Sequence, residues 1–121
     1  MLQKLPWLSL LIFLSQCSKP LPALEGIDLV KWKSDKGACL AERKQMIATL
    51  DKQRDKLKGL SEADIIQLLG RPDQNELYKR NQKFYYYTLR PTATCPQPDS
   101  IKQRLSIRFT AMGIAKEVII E

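Results

Sequence analysis

Ser61-Glu62-Ala63-Asp64-Ile65-Ile66-Gln67-Leu68-Leu69-Gly70-Arg71-Pro72 is the stretch on which the fold turns. Ser61 followed three residues later by Asp64 reads as a capping box, with Asp in place of the usual Glu, so a helix starts here. Leu60 and Ile65 are placed to form a hydrophobic staple around that start. The helix is expected to run to about Leu69, to bury some of Ile65, Ile66, Leu68 and Leu69, and to stop at Gly70 with Pro72 beyond it. Before this helix the chain reads as helical. After it the hydrophobic period changes to two.

Upstream, good helix formers run without Pro or Gly from residue 38 or 39 to 58, and the spacing predicts one long helix. Its apolar stripe is Cys39, Met46, Leu50 and Leu57, within about 20° of one line at 100° per residue, with Leu40 and Ile47 on a flank. Arg43 falls beside that stripe and is expected to meet a carboxylate at the edge of the core. Lys44, Lys52, Arg54, Asp55, Lys56 and Lys58 read as a solvated face. Trp32, between Lys31 and Lys33, suits a lipid headgroup layer or, as the favoured reading, the core beside the first helix.

Downstream, residues 76–79 form a weak strand and 83–89 a strong one, with Phe84 and Tyr86 on one face and Tyr85 and Tyr87 on the other. Lys79, Arg80, Asn81 and Gln82 make a basic turn between them. Residues 91–103 hold three prolines and Cys95 and read as a long loop. Leu105, Ile107 and Phe109 alternate with polar residues, the pattern of a strand buried on one face. Ala111, Met112 and Gly113 suit a three-residue hairpin loop into a last strand through Val118 and Ile120. The fold class is therefore α+β, two N-terminal helices packed on a three- to four-stranded antiparallel sheet.

Residues 1–16 carry one charge, Lys4, then the apolar run 5–14, and end before Cys17, which is the layout of a lipoprotein signal. The run is shorter than the about 20 apolar residues that a membrane-spanning helix needs. An ordinary secretory signal cut near Ser18 is the plainer alternative. With lipid on Cys17 the anchor would be permanent, since each buried methylene contributes about 0.8 kcal/mol. The layout then predicts a signal at 1–16, a tether at 17–26 and one domain at 27–121. Loss of Lys4 lowers the net charge from +7 to +6. That basic excess favours anionic phospholipid or an acidic protein face as partner, and not nucleic acid.

Once Cys17 is given to lipid, Cys39 and Cys95 remain as a pair in an oxidising compartment and are expected to form a disulfide. They would pin the 91–103 loop to the start of the long helix. The sequence has no histidine, which excludes Ser-His-Asp triads, Cys-His pairs and His-ligated zinc. It also lacks a glycine-rich phosphate loop, and its carboxylates are scattered, with Asp51 and Asp55 one helical turn apart as the most notable pair. No enzyme activity, cofactor, metal or small-molecule substrate is expected.

The order of these features resembles the BamE family, also called SmpA or OmlA. It comprises a lipobox, a helix, a capped helix ending Leu68-Leu69-Gly70-Arg71-Pro72, an aromatic strand and a one-sided strand before a glycine hairpin, and covers roughly residues 57–120. The resemblance implies an ααβββ fold and an accessory role in the machinery that folds β-barrels into the outer membrane, facing the periplasm. Cys39, Cys95 and the proline-rich loop depart from the family pattern, and none of the family's contact residues is carried over. Ser18, not Asp, follows the cysteine, which favours the outer membrane. The expected function is thus a non-catalytic, lipid-anchored scaffold or accessory subunit bound to proteins of an outer-membrane assembly complex. Lys79, Arg80 and Lys83 are its candidate binding patch. The alternative is a lipid-anchored binding or inhibitor module that captures a periplasmic protein through its sheet face or its pinned loop.

Overall fold

The structure, a computed structural model, describes residues 20–121. The expected signal at 1–16 and the expected lipid site Cys17 lie outside the described residues. Among the described residues three short α-helices, α1 (Leu29–Ser34), α2 (Ile47–Gln53) and α3 (Glu62–Leu69), precede four strands. These are β1 (Gln74–Tyr78), β2 (Gln82–Thr88), β3 (Arg104–Phe109) and β4 (Ala115–Ile120), a fully antiparallel meander in the order β1-β2-β3-β4.

The α3 helix starts and stops where its sequence says. Ser61 Oγ accepts from Asp64 N–H at 3.1 Å and the Asp64 carboxylate accepts from Ser61 N–H at 3.3 Å, which completes the capping box. Gly70 ends it at φ +82°, and a side chain there would also press on Lys33. Ile65, Leu68 and Leu69 enter the core, where they meet Tyr85, Tyr87, Leu105, Ile107, Phe109 and Val118 from one sheet face. Trp32 is fully buried in this layer and donates from Nε1 to Leu69 O at 3.0 Å, so the core reading of Trp32 holds over the headgroup reading.

The single long helix does not form. Residues 36–57 are divided into a 3₁₀ turn Lys36–Ala38, a 3₁₀ turn Arg43–Met46, α2 and a 3₁₀ turn Arg54–Leu57. Ala38 and Ala41 adopt φ of 64° and 60°, a left-handed backbone that no right-handed helix accommodates. The cause is Asp35. Its carboxylate accepts the N–H groups of Leu40, Glu42 and Arg43 at 2.8, 2.9 and 3.0 Å and folds the chain around itself. Cys39 thereby leaves the apolar stripe, Leu40 becomes exposed, and only Met46, Leu50 and Leu57 remain buried from it.

Packing also begins ahead of Ile27. Leu24 is 7% exposed in the core and Leu21 packs against it. Gln53 clasps Glu25, accepting from its N–H at 2.8 Å and donating to its C=O at 2.7 Å. Much of the segment read as a tether is therefore part of the folded body.

Candidate functional site

The 91–103 loop is fastened at three places. Cys39 and Cys95 form a disulfide with Cα atoms 5.3 Å apart. Asp99 accepts from Lys44 at 2.7 Å, from Arg90 at 3.2 Å and from Ile101 N–H at 3.0 Å. The Lys44 hydrogen bond first, then Ile101 N–H and Arg90, hold the Asp99 carboxyl well below the usual carboxylate range. At the loop's base Leu89 N–H donates to Gln103 O at 3.0 Å. The result is a rim that stands over the end of the sheet.

Between this rim and the sheet lies a groove of about 630 Å³. Gln74 and Thr88 form its floor, Thr92, Thr94 and Lys102 its loop side, and Arg90, Arg104 and Glu121 its charged end. Arg104 is held at both sides, with Nε on Glu121 at 2.7 Å and its guanidinium 3.8 Å from the centre of the Tyr86 ring. Lys102 is exposed and makes no ion pair among the described residues. Arg90 and Arg104 are balanced by Asp99 and Glu121, so Lys102, the unpaired cation of the lining, gives the groove its positive excess and suits it to acidic groups.

The groove opens onto the sheet face that the helices leave uncovered. Tyr78, Phe84 and Tyr86 form an aromatic row there, Phe84 stacked on Tyr86 at 5.7 Å and edge-on to Tyr78 at 5.6 Å. Arg108 reaches Gln82 at 2.8 Å and Glu117 at 3.5 Å on the same face. Burial first, then a hydrogen bond to Glu76, pushes the Tyr86 phenol up.

Of the expected patch, Lys79 and Arg80 stay together in the exposed turn Lys79–Asn81, where Arg80 has φ 59°. Lys83 separates from them. As an odd residue of β2 it points to the helical side, pairs with Glu62 at 3.0 Å, and shares that carboxylate with Tyr85 Oη at 2.7 Å. Burial would raise the Glu62 carboxyl, but the hydrogen bonds from Tyr85 and Lys83, with the Lys83 charge, outweigh it and hold the group below its usual value. Arg90, Lys102 and Arg104 were not among the expected site residues. For Arg104 the alternation of β3 carries a signal, since it shares a face with Ser106 and Arg108. For Arg90 and Lys102 only the loop's path shows it.

No family model, curated protein or solved structure matches this chain. Among the described residues no group of three His, Cys, Asp or Glu is placed to hold a metal ion, and no helix is long and apolar enough to cross a membrane.

Proposed function

We infer that the protein is a non-catalytic, lipid-anchored accessory subunit that binds other proteins at the periplasmic side of the outer membrane and serves β-barrel assembly. The observation that carries the binding role is the fastened 91–103 loop. A loop held by a disulfide, an Asp99 clasp and a backbone bond keeps its groove formed without a ligand, so little ordering cost falls on binding. The barrel-assembly context is supported by the resemblance of residues 57–120 to the BamE family, and the anchor by the sequence around Cys17. The disulfide fits an oxidising compartment. Anionic phospholipid is a second partner suited to the net positive charge.

A native pull-down of the tagged, lipidated protein from mildly solubilised membranes tests this reading. Recovery of the barrel-assembly complex supports it. Its absence alongside one stoichiometric enzyme favours an inhibitor module, the reading that the electropositive groove beside the loop favours on its own.

A further inference from the structure

The sheet has two outer strands, and the protein treats them differently. On β4, Ala115 exchanges backbone hydrogen bonds of 2.8 Å with Leu60 and Gly59, which covers the start of that edge, and further along, where Val118 and Ile120 have no outward backbone partner among the described residues, Val118 is buried. On β1, all five residues are exposed.

The register identifies which groups β1 leaves open. Leu89 N–H bonds Gln103 O, continuing the β2–β3 register in which Tyr87 opposes Leu105. Opposed residues of an antiparallel pair alternate between exchanging both hydrogen bonds and exchanging none, so the odd residues of β2 bond β3 and its even residues bond β1. Tyr86 opposes Gln74 and Phe84 opposes Glu76, which turns the even residues of β1 inward. The N–H and C=O of Asn75 and Leu77 therefore point away from the sheet, and among the described residues no other backbone bond reaches them.

Native edges are blunted by a central charge, a proline, a bulge or a covering loop. Between Asn75 and Leu77 there is no proline, bulge or covering loop, and the one central charge is the carboxylate of Glu76. Leu77 is instead 77% exposed and Tyr78 50% exposed. Cations flank the strand, with Arg71 before it and Lys79 and Arg80 after it, all exposed and without an ion pair among the described residues. The one acid of β1, Glu76, is turned to the open face, where it accepts from Tyr86 Oη at 3.2 Å.

We propose that β1 accepts an extended acidic segment of a partner protein as a fifth strand. The segment's backbone pairs with Asn75 and Leu77, an apolar side chain covers Leu77, and its carboxylates meet Arg71, Lys79 and Arg80. Charge selects this occupant over a second copy of the chain. A second copy would bring the same unpaired Arg71, Lys79 and Arg80 with only Glu76 on the strand to meet them, and the twofold register that joins Asn75 to Leu77 also sets the two Glu76 carboxylates opposite each other. The inference goes beyond the groove and needs neither the anchor nor the assembly machinery.

The test uses the purified, isotopically labelled protein with the peptide Glu-Glu-Val-Thr-Val-Glu-Glu, which sets its threonine opposite Glu76 and a valine opposite Leu77, its counterpart with lysine for glutamate, and the acidic peptide N-methylated on alternate residues. The expected result is slowed amide exchange at Asn75 and Leu77 with the acidic peptide, weakened by salt and lost on N-methylation. Leu77→Pro removes an outward N–H and leaves the β1–β2 ladder intact, and it should weaken binding about tenfold. Lys79→Glu with Arg80→Glu should shift preference to the lysine peptide. Absence of binding, equal binding of both peptides, or retention by the N-methylated peptide overturns the proposal without relying on any variant's folding. Concentration-dependent protection of Asn75 and Leu77 in the protein alone also overturns it, in favour of a second copy.

Discussion

Arg43 joins three parts of the chain that lie far apart in sequence. It is 1% exposed, donates from Nε to Trp32 O at 2.9 Å and from Nη1 to Asp73 at 2.8 Å and Thr88 O at 3.2 Å, and lies 4.6 Å from the Trp32 ring centre. Asp73 in turn accepts from the N–H groups of Gly37 at 2.9 Å and Thr88 at 2.7 Å, so an apolar swap of the pair would orphan both donors. Arg43→Ala should destabilise by about 3–5 kcal/mol in urea unfolding, since it strands a carboxylate only 9% exposed. Adding Asp73→Asn should cost less than the sum of the singles. The sequence placed Arg43 beside the stripe and asked for a carboxylate, and that expectation is met. That the carboxylate is Asp73, 30 residues on, was not legible, because nothing local links the two. A second residue-scale prediction concerns Tyr85. Burial first, then its hydrogen bond to Glu62 and that carboxylate's charge, push the phenol up to about 12. A folded value above the about 10 of an unfolded tyrosine stabilises fully below pH about 10, and this stabilisation is lost as pH rises through about 12. Urea midpoints between pH about 9 and 12 should therefore fall more steeply for the wild type than for Tyr85→Phe.

At the scale of elements, local signals succeeded where the determinants are local. The capping box, the Gly70 stop and the Gly113 hairpin each rest on a few neighbouring residues, and all three stand where the sequence put them. The long helix failed for the opposite reason. Ala38, Leu40 and Ala41 favour helix by propensity, but the Asp35 carboxylate takes the N–H groups of Leu40, Glu42 and Arg43 and Cys39 is bridged to Cys95, 56 residues away. Tertiary demands override propensity in that stretch, and helical turns resume only at Arg43. The same disulfide sets the third prediction. Replacing Cys39 and Cys95 with Ser should cost about 4 kcal/mol by the chain-entropy relation for a loop of this length. Hydrogen exchange should localise the effect, faster at Leu89 and Cys95, with α3 losing protection only in step with global stability. Uniform acceleration would show instead that the loop is no separate unit. The groove was only half legible from sequence, since its loop and its pinning cysteines could be named but its cations converge through the loop's path.

For the whole molecule, the decisive asymmetry is where the chain enters. Leu24 sits in the core and Leu21 packs on it, while Lys56 Nζ donates to Ala23 O at 3.0 Å and Gln53 holds Glu25. The entry therefore runs along α2 and the turn after it, in the helical layer. With the lipid on Cys17 as proposed above, four residue steps separate the anchor from Leu21. At ~3.5 Å per step the connection reaches no more than about 14 Å, so the helical side near Glu25 must lie close to the headgroups. The open sheet face and the β1 edge belong to the other layer of the fold, which leaves them for protein partners. A fluorophore on residue 25 of the lipidated protein in vesicles should accordingly be quenched strongly by headgroup-attached quencher. Inserting a Gly/Ser linker of about 20 residues between Ser18 and Lys19 gives a root-mean-square span of about 25 Å and should relieve most of that quenching. Quenching that is unchanged by the linker would show that the surface around Glu25 binds lipid by itself. Quenching that is weak from the start would mean that no short anchor at Cys17 holds the domain.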